Sequence, residues 1–336
     1  MPAHSANLKD VALAAGVSVS TASRALAGKD SISAATRQRV ERAAQALNYH
    51  PNIQARGLRT ARTYTLGLAI PTLLNPYFAT MADAVQARAT ANGLATIITS
   101  YSEDSSRLRD AVTTLSQQNV DGMLVVPTAD ARSLLDAVKA AGTPVVLIDR
   151  SLAGSDLPTV VSDPEPGITA AVELLYARGH RRIGYLAGPE ELSTGAERRA
   201  AFSAAAGRVG IGGEYVFQGG FEVSQGITGT QQLREAGCTA VIAGDSMMTL
   251  GALEYCHREK VRIGKQLALV GFDDLDYMRV QPTPLSVIDQ DVTQLGYRAA
   301  DALVAALSGI SPPDVTLPTR LITRQSTEHY LQEVPR

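Results

Sequence analysis

The sequence predicts an α/β protein: a small three-helix head, then a larger body of parallel sheets folded as two lobes. Three observations lead there. From Tyr64 onward, short continuous apolar runs alternate with longer amphipathic stretches, which is how strands covered on both faces by helices read in sequence. That alternation continues for more than 250 of the 336 residues, too long for one core and suited to two lobes. Charge is split unevenly along the chain. Residues 1–62 hold two lysines and seven arginines against Asp10, Asp30 and Glu41, a net +6, whereas the whole chain is −2 and the remainder therefore −8. A basic head on an acidic body suits a nucleic-acid module joined to something that keeps away from nucleic acid.

The head is read first. Asn7 to Ala15 forms a short helix with Leu8, Val11 and Ala12 on one face, stopped by Gly16 in a tight turn. Ser18 caps a second helix through Thr21 and Arg24 to Ala27, ended by Gly28. Ser33 caps a third, in which Val40, Ala43, Ala44 and Leu47 keep helical spacing. Three short helices with a glycine turn between the first two form a helix-turn-helix unit over residues 1–50, whose second helix enters the major groove. Residues 51–62 form a linker. Within it, Asn52 to Leu58 has room for one or two helical turns, but Gly57 costs such a helix about 1 kcal/mol. A helix so short is marginal in water and would form on DNA.

The stretch LKDVALAAGVSVSTASRAL, the third helix ending LNYHPN and the linker ARGLRTARTYTLGL together resemble the lactose-repressor (LacI/GalR) family of bacterial transcription regulators, with a collinear match over nearly the whole chain. The resemblance implies that Val19 and Ser20 face base edges beside Arg24, whose fork suits guanine O6 and N7. Ser18, Thr21, Ser23 and Asn48 join the DNA-facing set, the last three as phosphate contacts that position without specifying sequence. Asn52, Ala55 and Arg56 belong to the hinge segment, and in the family the leucine at Leu58 wedges into the minor groove and kinks the duplex. The competing role for Leu58 is packing on the body.

In the body, residues 63–336, the predicted strands are 65–70, 94–99, 122–126, 144–148, 182–187, 240–243, 267–272 and 285–289. The predicted helices are 76–92, 105–118, 129–141, 166–178, 195–207, 223–236, 247–259 and 294–307. The resemblance implies a periplasmic-binding-protein-like body with the chain crossing between lobes near 161, 290 and 321. Ligands of such sheets sit beyond the carboxyl ends of the strands. Asn75, Tyr77 and Phe78 follow the first strand, Asp149 with Arg150 ends the fourth, Asp163 starts the next lobe, and Thr194 follows the AGP turn. Phe221 follows a pair of glycines, Asp245 ends AVIAGD, and Asp273 lies in GFDD. At Arg198 the family uses an arginine to hold a ligand hydroxyl or carboxylate, while Arg199 beside it faces solvent. Carboxylates that accept and a guanidinium that donates suit a polyhydroxyl effector, a sugar (a pentose such as ribose, or a hexose) or a nucleoside. Leu192 stands where purine-binding members carry a basic residue, which disfavours a purine.

Other classes lack their residues. Cys238 and Cys256 are too few for a disulfide framework, and the five histidines never fall at metal-ligand spacing. No phosphate-binding glycine loop or nucleophile elbow is present, so neither an enzyme, a cofactor nor a metal is expected. With no apolar leader and no apolar run of about 18 residues, the protein is expected in the cytoplasm, without membrane contact. The expected partners are a palindromic double-stranded operator, the effector, and a second copy of the chain in a homodimer through helices near 76–92 and 223–236. The expected role is allosteric repression; the alternatives are a cytoplasmic solute sensor without operator-specific repression, or an activator of the same family. If Leu58 is a wedge, Leu58→Ala weakens binding to the cognate operator more than to random duplex. Equal losses in a titration of both duplexes would place Leu58 on the body instead.

Overall fold

A computed structural model of the chain describes residues 6–26, 31–49, 62–211 and 215–328, which divide into two compact units, Met1–Thr63 and Tyr64–Arg336. In the first unit, helices α1 (Leu8–Ala15), α2 (Val19–Leu26) and α3 (Ala34–Ala46) enclose a core of Val11, Ala12, Ala15, Ala22, Ala25, Val40 and Ala44. Asn7 caps α1 by a reciprocal bond with Asp10, and Gly16 ends it at φ 64°, a left-handed position that glycine adopts without steric cost. Ser18 accepts from the Thr21 amide at 3.1 Å and Ser33 from the Thr36 amide at 3.3 Å, so both serines act as helix caps. The hinge residues Asn52, Ala55, Arg56 and Leu58 lie outside the described residues.

The second unit holds two six-stranded sheets. In chain order the strands are β1 (Thr65–Ile70), β2 (Ala95–Ser100), β3 (Gly122–Val125), β4 (Val145–Ile148), β5 (Thr159–Asp163), β6 (Ile183–Ala187), β7 (Tyr215–Gln218), β8 (Ala240–Ala243), β9 (Ala268–Phe272), β10 (Ser286–Asp289), β11 (Val315–Pro318) and β12 (Arg320–Ile322). One sheet has the order β11-β5-β4-β3-β1-β2, the other β12-β10-β9-β8-β6-β7. Every pairing is parallel except β10 with β12. The central strands are apolar runs buried on both faces, as at β1, β3, β4, β6, β8 and β9.

The helices fall within three residues of the sequence reading: α4 (Pro76–Ala91), α5 (Ser105–Gln117), α6 (Arg132–Ala140), α7 (Glu165–Ala177), α8 (Ser193–Arg208), α9 (Val223–Glu235), α10 (Ser246–Arg258) and α12 (Val292–Leu307). A further single turn, α11 (Asp276–Arg279), follows β9. Strands β5, β7, β11 and β12 go beyond the predicted set. β7, β11 and β12 are short and half-exposed, so they carry no continuous apolar run. β5 alternates buried and half-buried residues, TVVSD, at the place where the chain leaves the first sheet.

Among the described residues the chain passes between lobes three times. β5 pairs in the first sheet, and α7 then packs its Ile168, Ala171, Val172 and Leu175 into the second lobe's core. β10 pairs in the second sheet, and α12 returns Leu295, Ala299, Ala302 and Leu303 to the first lobe. β11 and β12 then lie on opposite sheets, separated by Thr319.

Two helices of the second lobe cross with almost no side chain between them. A Cβ on Gly226 of α9 would stand 2.4 Å from the Met248 carbonyl oxygen, and one on Gly251 of α10 would stand 2.2 Å from that of Val223. The facing atoms are backbone, which cannot swing away, and the crossing fixes where both helices begin. Gly251→Ala should therefore lower stability by about 1–3 kcal/mol, the usual cost of overpacking. The midpoint of urea unfolding checks it; an unchanged midpoint would show that the helices are free to separate.

Candidate effector cleft

The carboxyl ends of β1, β4, β6, β8 and β9 and the starts of α4, α8, α9 and α10 meet at a cleft between the two sheets of the second unit. It encloses a cavity of about 290 Å³, near the lower end for a small-molecule site. Nine of the ten residues expected to touch an effector line it: Asn75, Tyr77, Phe78, Asp149, Thr194, Arg198, Phe221, Asp245 and Asp273. Asp163 does not. Rather than opening the second lobe it closes β5 in the first sheet, where its carbonyl accepts from Thr319 Oγ1 at 2.8 Å and its Oδ1 from the Glu165 amide at 2.9 Å.

On the first-lobe side, Asn75 caps α4 by accepting from the Tyr77 amide at 3.0 Å. The buried Tyr77 hydroxyl donates to Asp149 Oδ1 at 2.6 Å, and the Tyr77 and Phe78 rings meet edge to face at 5.1 Å. Burial, then Asp149, raises the Tyr77 pKa well above its ordinary value, so the phenol stays a donor. Asp149 itself has φ 71°, a left-handed turn that directs the chain end of β4. Arg150 next to it donates through both terminal nitrogens to Glu103, each at 2.7 Å. Burial opposes the Arg150 charge, but the Glu103 bonds more than offset it and raise its pKa.

On the second-lobe side, Arg198 points inward from the first turns of α8 and is 6% exposed. It donates to the Gly244 carbonyl at 2.9 Å and to Gln290 Oε1 at 3.3 Å, with its guanidinium over Phe272 at 4.2 Å. Gln290 in turn donates to Asp273 Oδ1 at 2.7 Å and accepts from Ser162 at 2.6 Å. Asp245 caps α10 by accepting from the Met248 amide at 2.7 Å. Burial raises the pKa of Asp245 despite that bond, and pushes Asp273 up to about 7 against the pull of Arg198 and Gln290. The Thr194 hydroxyl is buried in the cleft wall without a hydrogen-bond partner. Phe221 packs against Gly188, where an added Cβ would stand 2.0 Å from the ring.

Glu103, Gln290 and Ser246 also line the cleft, outside the predicted set, as does Arg150, which the sequence places beside Asp149 at the end of the fourth strand. Arg150 and Ser246 follow directly on Asp149 and Asp245, so adjacency at a strand end was a usable signal for both. Glu103 and Gln290 come from a loop and a crossing strand whose local sequences carry no sign of the cleft. Arg199 is partly exposed and pairs with Glu190, outside the cavity lining. Leu192, buried at the start of α8, is likewise outside it.

In the head, Val19, Ser20 and Arg24 are exposed along α2, with Val19 at 42%. Arg24 Nε donates to the Ser20 carbonyl at 3.2 Å, Ser18 Oγ lies 2.8 Å from Thr21 Oγ1, and Ser23 is half-buried. Asn48 is exposed after α3 at φ 47°. No helix among the described residues is long and apolar enough to cross a membrane.

A model of the lacI family of bacterial regulatory proteins matches residues 7–52, and a periplasmic binding protein-like domain matches residues 172–327. The chain is 30% identical over 328 residues to the HTH-type transcriptional repressor CytR of Escherichia coli (strain K12), covering 96% of this chain and 96% of that one. A solved structure of a probable LacI family transcriptional regulator from Corynebacterium glutamicum is 42% identical, with a TM-score of 0.73 over 78% of this chain and 98% of that one. The Lac repressor dimer bound to operator and the anti-inducer ONPF superposes with a TM-score of 0.85 at 28% identity, over 96% of this chain and 99% of that one. A helix-turn-helix head, a two-lobed body and an end-to-end match to a repressor agree: the chain belongs to the lacI family of bacterial regulatory proteins.

Proposed function

We propose that this regulator represses transcription as a homodimer on a palindromic operator, and that a sugar or nucleoside in the cleft sets its affinity for DNA. The observation that carries the reading is the convergence of Asp149, Asp245 and Asp273 with Arg198 and the ring of Phe221 in one enclosed space. Carboxylates accept from ligand hydroxyls, the guanidinium donates to a ring or hydroxyl oxygen, and the aromatic face covers the apolar side of a sugar or base. The head supplies the other half. Val19, Ser20 and Arg24 are presented for base edges, and Ser18, Thr21, Ser23 and Asn48 for the backbone. The hinge residues Asn52, Ala55, Arg56 and Leu58 are assigned to the minor groove. The dimer surface is assigned to α4 and α9; Leu74, just before α4, is 88% exposed and offers apolar area for it. The fold-level likeness to an operator-bound repressor dimer supports this arrangement. On this reading the cleft acids serve binding, each with one oxygen fixed by a helix amide, a tyrosine or a glutamine.

A thermal-shift screen against pentoses, hexoses and nucleosides tests the effector class, since a ligand at 100 times its Kd adds about 2.7 kcal/mol of stability. Asp245→Asn keeps a capping acceptor but removes the charge. It should weaken a hit from that screen at least about tenfold while leaving operator affinity without effector unchanged. An unaltered effector titration would remove Asp245 from the site.

Asp273 adds a pH dependence. Its folded pKa is about 7, above the unfolded value of about 3.9. The folded carboxyl therefore keeps a proton that the unfolded chain has lost. Its contribution to stability is full below about pH 4 and is lost as the pH rises through about 7. A hydroxyl donor is held more strongly by the ionised form, so effector binding should strengthen across the same rise. Asp273→Asn should flatten both slopes. Parallel slopes in wild type and variant, by calorimetry between pH 5 and 8, would show that another group titrates.

A further inference from the structure

We infer that Glu103 masks the charge of Arg150 and thereby restricts the cleft to uncharged ligands, turning away their phosphorylated forms. The inference rests on the effector reading above and adds the charge class of the ligand.

A phosphate or carboxylate is held in a buried site by a guanidinium whose paired donors are open to it. The cleft is lined by two arginines, and the terminal nitrogens of both are engaged within the protein. Arg150 is 2% exposed and gives both terminal nitrogens to Glu103, while its Nε makes no hydrogen bond and lies 3.5 Å from Asp149 Oδ2 as an ion pair. Its fork is occupied by a carboxylate of the kind a ligand anion would present. Arg198 is directed to the Gly244 carbonyl and to Gln290, and its flat face rests on Phe272. Against these two cations stand Glu103, Asp149, Glu222, Asp245 and Asp273, which line the same cleft from both lobes. A phosphoryl dianion entering here would lose its hydration and face an acidic lining with no open fork to repay it.

Helix starts are the other ordinary anion sites of such a fold; of the four at the cleft, those of α4 and α10 are filled by their own caps, and those of α8 and α9 carry no side-chain cap. Asn75 Oδ1 accepts from the Tyr77 amide at the start of α4, and Asp245 Oδ1 from the Met248 amide at the start of α10. At the start of α8 the residue offered to a ligand is Thr194. Its buried hydroxyl, unpartnered, matches a neutral oxygen that can both give and take a hydrogen bond.

The backbone shows that the position of Glu103 is held against local preference. Ser102 and Glu103 lie at φ 53° and 59°, two consecutive left-handed residues without a glycine. The turn carries a side chain that is 40% exposed at the cleft mouth down onto the most deeply buried arginine of the site. Removing the carboxylate would leave the fork of Arg150 facing the cavity. A regulator built this way reads the unphosphorylated side of its pathway: the substrate of a kinase step, or the product of a phosphatase or hydrolase step.

The test uses the full-length protein, with thermal shift and calorimetry against ribose, glucose, adenosine and cytidine, their monophosphates, and inorganic phosphate alone. In wild type, any parent compound that binds should do so at least about tenfold more tightly than its monophosphate, and inorganic phosphate should give no shift. In Glu103→Gln, which keeps the shape and loses the charge, inorganic phosphate should become protective and the preference for the parent compound should narrow. A monophosphate that binds wild type as well as its parent overturns the inference and leaves the polyhydroxyl reading standing. So does inorganic phosphate protecting wild type and variant alike. If neither parents nor monophosphates bind, the polyhydroxyl reading falls, and the inorganic phosphate arm alone decides whether Arg150 is masked. If Glu103→Gln does not fold, the wild-type comparison carries the decision.

Discussion

The relative position of the two lobes depends on how the three crossing strands are tied to one another. The Ser162 hydroxyl, on the first crossing, donates to Gln290 on the second at 2.6 Å. The Thr319 hydroxyl, on the third, donates back to the Asp163 carbonyl at 2.8 Å, and the Gly167 amide donates to Thr319 at 3.0 Å. Each such bond is worth on the order of 1 kcal/mol net. The lobes are thus joined by a few passages of chain and a handful of polar contacts, while each lobe has its own apolar core beneath its sheet. Gln290 belongs to both systems. Its oxygen binds a crossing strand and its amide nitrogen holds Asp273 in the cleft. Whatever satisfies Asp273 therefore bears directly on the strand around which the lobes turn.

The cleft is expensive to build. Asp149, Asp245 and Asp273 are each at least 94% buried, and an ionised carboxylate out of water is costly unless it is bonded. The fold offsets that cost by giving each acid a donor that structure already requires. Asp245 takes an amide that α10 would otherwise leave unsatisfied, Asp149 takes the Tyr77 hydroxyl, and Asp273 takes the Gln290 amide. One oxygen of each is thereby fixed in place. The residual mismatch shows in the upward pKa shifts of Asp245 and Asp273, which have burial as their largest cause. On the proposed reading, a ligand that brings hydroxyl donors would relieve this mismatch.

Much of this was legible in sequence because the central strands are buried on both faces. An apolar run such as TLGLAI or ALVGF admits few readings, and each predicted strand lies within one residue of where it begins. Edge and crossing strands were illegible for the same physical reason: VTLP and RLI are half in water, so their composition is that of loops. The cleft divides similarly. Residues at strand ends, Asp149, Asp245 and Asp273, are marked by their position after an apolar run. Asp163 shared that mark, but its strand lies on a crossing, so its polar atoms serve the passage between lobes. Glu103 and Gln290 do their work through partners 47 and 17 residues away, and such pairings leave no local trace.

The same sparse joints bear on the proposed coupling between a ligand in the cleft and the angle of the lobes. Beyond the crossing strands, the lobes touch across the cleft mouth through polar pairs. Ser246 donates to Asn75 at 3.2 Å, the Ser151 amide donates to Ser193 at 3.0 Å, and Arg150 lies 5.9 Å from the Phe221 ring. Each pair has one member on each lobe, so a change in lobe angle exchanges these contacts as a group. Their combined worth, at on the order of 1 kcal/mol each, is of the same size as the 1–3 kcal/mol that couples two sites in a typical allosteric protein. A stiffer joint would hold one angle whatever was bound, and a looser one would transmit nothing. Asn75 and Ser246 stand at the starts of α4 and α10 and also line the cavity, so a ligand seated there competes for the bond that closes the lobes. On the proposed reading, occupancy of the cleft and the angle between the lobes would therefore depend on the same atoms.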